Sequence, residues 1–339
     1  MLLRLGIPFL FAIISICPVS NAQEIISDSL VSASVNPGGP LACDAEGRLY
    51  LGTSSNPWIS VIRVAPDGSA VVFQLPTSED RFEAFTHTPT GLAVLAVSDR
   101  TPEGVSHRMY RFDNQGNIIT RRLVAIDFHP FNMALTSSGK MVIVGERSWV
   151  ATQKSGNYVG AVLDTDDQVI QNFKFPLGSD DTQWVPVRLG LRSRMLGGDG
   201  IAYMIASLGT GPTRSFALAT IAESGHVGID ILPVPPNSET RHHNEWLFGP
   251  GIVVESYHYV GERPRTFDRF DEFDLGSGKK IVTKRTLGAG FEQGCYLGDT
   301  FSYLAFPFPP RPHSDKGSKE SPPERHRADI VRFVTVKVE

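Results

Sequence analysis

Residues 43–52 read CDAEGRLYLG, and residues 61–75 read VIRVAPDGSAVVFQL. Each stretch is a short strand, a tight turn holding Gly47 or Pro66-Asp67-Gly68, and a second strand of aliphatic and aromatic residues. Glycine suits such turns because it reaches positive φ without steric penalty. Together the two hairpins form a meander of four strands, a, b, c and d. Four-stranded units recurring every 40–50 residues are the mark of propeller blades.

The first hairpin returns as HTPTGLAVLA, TSSGKMVIVG, GGDGIAYMIA and FGPGIVVESY, with turns at Gly91, Gly139, Gly200 and Gly251. A degenerate copy, LGDTFSYLAF, carries Thr300 in the glycine's place. The second hairpin returns as MYRFDNQGNIITRRL, AVLDTDDQVIQNFKF, LATIAESGHVGIDIL and DEFDLGSGKKIVTKR. These copies define six blades at about 38–76, 83–125, 130–176, 186–235, 242–287 and 291–339. The last ends after ADIVRFVTVKVE and so lacks a d strand, whereas residues 24–35, EIISDSLVSASV, form a strand with no blade of their own. The expected architecture is therefore all-β. It is a six-bladed propeller of antiparallel blades, its ring closed by the N-terminal strand completing the last blade, which removes two exposed sheet edges.

Ahead of that strand, residues 1–22 carry one charge, Arg4, an apolar run from Leu5 to Cys17, and small residues at Ser20 and Ala22. This is the pattern of a cleaved signal peptide, too short to span a bilayer. Secretion or a periplasmic location follows as an expectation, with one domain over 23–339. Without residues 1–22 the chain has 31 basic and 36 acidic side chains, because Arg4 is the leader's only charge. A mildly acidic chain without a basic block argues against a nucleic-acid partner. Export permits a disulfide between Cys43 and Cys295, which fall in the a strands of the first and last blades. Two buried thiols are the alternative.

In a meander blade the b–c and d–a connections emerge on one face. Here they are the irregular ones, including the proline-rich segment 307–328, whose composition cannot bury a core and suits a mobile loop. Binding and catalysis concentrate on loops held by a rigid scaffold, so this top face is the expected functional face. Counting back from each turn, the mouth of the central channel receives Glu83, His129, Arg188, Arg192, His242, His243, Asn244 and Glu292. Trp58, Trp149 and Trp184 fall in the surrounding loops as an apolar rim. Polar groups also line a merely water-filled channel, and that alternative stands beside ligand binding.

The run from His242 to Glu245, with Glu83, His129 and Glu292, offers nitrogen and oxygen donors suited to a divalent metal. Adjacent histidines on a strand point to opposite faces, so the reading without a cofactor is preferred. No G-x-S-x-G elbow or phosphate-binding strand–loop–helix context occurs. The alternation FDRFDEFD at 267–274 reads as a c strand with phenylalanines on one face and charges opposite.

The phrase PLACDAEGRLYLGTSS…ISVIRVAPDG resembles the repeats of the NHL, gluconolactonase-like and streptogramin-lyase-like propellers. The resemblance implies the fold. Lactonase-type propellers hold a divalent ion through Glu, Asn and Asp of inner strands, and only Glu83 and Asn244 match loosely. The lyases' Gly-x-Asp-Gly-x-Trp signature is absent, so neither active site is carried over. The expectation is a secreted monomeric scaffold or binding module. It would take a small molecule, a glycan or a protein at its top face, with no nucleic acid and no membrane span. The rival is a metal-assisted hydrolase, lactonase or lyase at the channel mouth.

Overall fold

The computed structural model describes residues 24–32, 41–52, 60–76, 80–101, 104–147, 157–178, 182–187, 195–209, 214–233, 241–249, 251–259, 267–287, 294–305 and 331–338. For 41, 99–101, 104, 241–245, 255–259, 267–269 and 285–287 only the backbone is considered. The leader at 1–22, the segment 307–328, Trp58 and Trp149 lie outside the described residues.

The first strand, β1 (Ile25–Leu30), belongs to the last blade. Blade one is β2 (Leu41–Cys43), β3 (Leu49–Gly52), β4 (Ser60–Val64) and β5 (Ala70–Gln74). Blade two is β6 (Asp80–Thr88), β7 (Gly91–Thr101), β8 (Gly104–Asp113) and β9 (Ile118–Val124). Blade three is β10 (His129–Leu135), β11 (Met141–Glu146), β12 (Tyr158–Leu163) and β13 (Val169–Lys174). In blade four two short segments, β14 (Val185–Pro186) and β15 (Met195–Gly197), share the innermost position. Beyond them lie β16 (Ile201–Leu208), β17 (Ser215–Ala222) and β18 (Val227–Ile231). Blade five is β19 (Arg241–Gly249), β20 (Ile252–Tyr259), β21 (Phe267–Asp274) and β22 (Lys280–Leu287). Blade six is β23 (Gly294–Tyr296), β24 (Thr300–Ala305), β25 (Arg332–Lys337) and, outermost, β1. Every pairing is antiparallel, and no helix occurs among the described residues. This is the six-bladed propeller expected from the repeats.

Strands whose residues alternate between two faces must bury both when blades pack face to face. The apolar core accordingly divides into six clusters, each shared by two neighbouring blades. Tyr110 and Phe112 of β8 face blade one, whereas Met109 packs toward blade three. The sixth cluster joins Leu49 and Val64 of blade one to Cys295, Leu304 and Phe333 of blade six, so the ring is closed. The closing strand pairs Ser27 with Thr335 and Ser29 with Phe333. Arg332 grips Asp28 through Nε at 2.6 Å and Nη2 at 2.7 Å. At the inner end of the same seam Cys43 and Cys295 form a disulfide, their Cα atoms 5.7 Å apart. That separation is the ordinary one for the bond.

Three local expectations are corrected. The left-handed turn residue of blade six is Gly298, at φ 83°, two places before Thr300. Trp184 is buried in the seam between blades three and four, with Phe173, Phe175 and Met204, and forms no rim. In FDRFDEFD the phenylalanines recur every three residues while a strand alternates every two. Phe270 therefore faces blade six and Phe273 faces blade four. The carboxylates between them are buried and ion-paired, Asp271 with Lys280 at 3.0 Å and Glu272 with Lys284 at 3.1 Å.

Candidate functional site

The innermost strands set the channel mouth, and their hydrogen-bond registers slip near the top. In β6 the register shifts between Phe82 and Ala84, in β10 between Pro130 and Asn132, and in β19 between His242 and Asn244. Each slip leaves one extra residue: Glu83, Phe131 and His243. Blade four carries the slip further. Val187 donates its N–H to the Ile205 carbonyl at 2.8 Å, and the next inner-strand residue in register is Met195, opposite Met204. Val187 and Met195 thus face adjacent residues of β16, Ile205 and Met204, although they stand eight places apart in the chain. Counted from the turn glycines Gly91, Gly139, Gly200 and Gly251, all four breaks fall opposite residues four to seven places on. A bulge bends its strand and re-aims side chains, and bulges gather beside functional sites.

The expected mouth residues distribute around these breaks. Glu83 is the bulged residue of β6 and is half-buried. His129 opens β10, in register with Glu146 of β11. His242 pairs with His258 and Asn244 with Tyr257, leaving His243 as the bulged residue. Side chains of His242, His243 and Asn244 are outside the described set, and Arg188, Arg192 and Glu292 lie outside the described residues altogether.

Asn132, directly after the bulge of β10, was not singled out by its sequence. Its Oδ1 accepts the Met133 N–H at 2.9 Å, which fixes the orientation of the amide. The amide nitrogen is buried and finds no partner among the described residues. A buried donor without an acceptor costs about 1–3 kcal/mol. Gln183 provides the contrast. It donates to the Tyr158 and Phe175 carbonyls at 3.0 and 2.9 Å and accepts from the Tyr158 N–H at 3.1 Å, so it is a structural clip. The register places Asn132, Val144 and Glu146 on the face of blade three that meets blade four.

Two further features lie toward the top of blade two. His107 of β8 is 4 % exposed, and its Nε2 has no partner among the described residues. Burial, with a smaller contribution from His129, pushes its pKa down to about 4. On the blade-one side of the same blade, buried Asp80 accepts from the Tyr110 hydroxyl and Arg108, with Arg121 3.9 Å away. Burial, ahead of the Asp80 hydrogen bond, raises the Tyr110 hydroxyl to about 12. Asp80 thereby ties the inner strand to the third and fourth strands and leaves no titrating phenol for chemistry. Among the described residues no group of three or more His, Cys, Asp or Glu side chains is arranged to hold a metal.

No protein-family model matches the chain, and no curated protein does. Solved structures are similar to it at the level of the fold. Streptogramin B lyase shares 7 % identity over 93 % of this chain and 100 % of its own, at a TM-score of 0.44. A candidate gluconolactonase shares 10 % identity over 92 % and 93 %, at 0.45. A member of the DUF4221 family from Bacteroides vulgatus shares 10 % over 94 % and 99 %, also at 0.45. At such distances no residue of theirs transfers to this chain. The fold assignment stands on the sheet order and the six seams of its own structure.

Proposed function

We propose that this chain is an exported propeller that binds a ligand at the top mouth of its channel, as a binding module rather than an enzyme. The observation that carries the reading is that four inner strands break, each opposite residues four to seven places beyond its turn glycine. A propeller whose inner strands served packing alone would gain from unbroken ladders, since each bulge leaves a residue unpaired. The half-satisfied amide of Asn132 supports it, because an acceptor on a ligand would meet the stranded donor. The leader-like residues 1–22 and the Cys43–Cys295 disulfide support an oxidising compartment outside the cytoplasm. Among the described residues no helix is long and apolar enough to cross a membrane.

A thermal-shift screen of a metabolite and oligosaccharide library tests the reading. Compounds that raise the melting temperature of the intact protein should lose most of that effect in Glu83→Ala and Asn132→Ala. They should retain it in Ile119→Ser, on the exposed perimeter. Hits indifferent to both mouth variants, or no hits, would remove the proposal. Metal analysis and melting with and without EDTA address the hydrolase or lyase alternative: a bound ion whose loss lowers stability would favour it.

A further inference from the structure

We propose that the seam between blades two and three is an acid latch: protonation of His107, in its top corner, opens that corner and, with it, the adjoining side of the channel mouth. His107 lies on β8 opposite Val97 and Val124, and its neighbour on the same face, Met109, packs in the core cluster of this seam. That cluster is apolar: Leu95, Val124 and Phe128 line it at the top, Met133, Ile143 and Val159 across from them. Among the described residues the charge-bearing group that acts on the ring is His129, at the start of β10, and it is of like sign.

Of the other charged groups of this seam, Arg81 of β6 stands in line with Val97 and His107 and is exposed, and several more are paired with one another. From the linker and the end of β11, Asp127 pairs with Arg147 at 3.5 Å, both exposed. From β9, Arg122 pairs with Asp166 at 2.9 Å, and from β8 itself Arg111 is held by Asp167. Glu146 stands in register with His129, and the register sets that pair on the face turned to blade four, with Val144. Among the described residues no carboxylate offsets a proton placed on His107. A cation there is desolvated and unpaired, and the cheapest relief is to separate the strand ends that bury it. Those ends carry the b–c connection of blade two and the d–a linker leading to His129, both on the top face.

The direction in pH follows from linkage. The closed seam favours the neutral ring, so the latch is fully shut above the ordinary histidine pKa near 6.5. It weakens as pH falls toward about 4. At pH 5 the opening equilibrium rises by on the order of 20-fold over its value at neutral pH. The consequence for ligand binding rests on the mouth reading above; the latch itself is measured without ligand.

Hydrogen exchange of the intact chain at pH 7 and pH 5 tests it through residues 105–109 and 128–131. Expressed as wild type relative to His107→Gln, which cancels intrinsic exchange rates, opening should be near parity at pH 7 and about 20-fold faster in the wild type at pH 5. Exchange in blade five should show no such ratio. A wild-type-to-variant ratio that is the same at both pH values would overturn the latch. Should the variant fail to fold, an NMR titration of the wild-type His107 ring decides alone. A midpoint well below 6.5 supports the latch, and one at the ordinary value sinks it.

Discussion

Glu223, in the c–d turn of blade four, gathers three donors from the a–b turn of blade three. Thr136 Oγ1 lies at 2.7 Å and Lys140 Nζ at 2.8 Å, with the Ser138 hydroxyl beside them. The Lys140 bond, then those from Ser138 and Thr136, hold its carboxyl down at about 2. Stability from this contact is in place above the ordinary carboxylate range and is lost as pH falls toward 2. Because Lys140 is about a third exposed, solvent screening trims the contribution to about 1–2 kcal/mol. Glu223→Gln should cost about that much at pH 7 and should flatten the decline in stability between pH 4.5 and 2.5, read by urea denaturation at several pH values. An unchanged acid limb would mean that other carboxylates govern it. Such side-chain ties were not legible in the sequence. Glu223 reads there as an exposed turn residue, and its partners lie more than eighty positions away. Asn132 and His107 escaped notice for the same reason: a polar residue inside an apolar run shows its missing partner only once the neighbouring blade is in place.

At the scale of the strand, legibility divides sharply. Turn glycines and period-two alternation marked most hairpins, because positive φ and two-faced burial leave local traces, whereas the second turn of blade three puts Asp167, at φ 64°, in the left-handed place. The bulges left none. An extra Glu83 or His243 shifts the register by one, yet the residues around it read as an ordinary alternating strand. In blade four the innermost position is shared by two short segments, β14 and β15, that pair with adjacent stretches of β16. The phenylalanines of β21 misled for a related reason, since a spacing of three cannot stay on one face of a strand. Where the closing strand meets blade one, a single glycine controls the fit. Gly68 sits at φ 82°, and a Cβ on it would lie 2.0 Å from the Leu30 carbonyl oxygen. Its own carbonyl accepts the Ser32 N–H at 2.9 Å. Gly68→Ala should therefore cost more than the roughly 1 kcal/mol of a left-handed alanine. The excess should appear as faster hydrogen exchange in β1, with the β6 to β9 blade unaffected. Equal protection of β1 in both proteins would show that the closing strand does not lean on this turn.

For the whole ring, closure is achieved twice at one seam, at the inner edge by Cys43–Cys295 and at the outer edge by β1 on β25. The disulfide spans a sequence separation of 252, for which chain-entropy reasoning gives about 5 kcal/mol if it were the sole closure. It is not the sole closure. With β1 paired, the ends of the folded ring are already together, and the apolar cluster across the seam holds them. Breaking either device alone should leave the ring shut and cost about 1–3 kcal/mol. Breaking both exposes two sheet edges and the seam cluster together, so the losses should exceed their sum. A double-mutant cycle measures this with Cys43→Ser/Cys295→Ser as one arm and Ser27→Pro/Ser29→Pro, which disrupts β1, as the other. The expected coupling is about 2 kcal/mol or more, accompanied in the combined variant by slower elution on size exclusion or by edge-to-edge association. Strict additivity would mean that the two closures act on separate units, and that the six blades do not unfold as one ring.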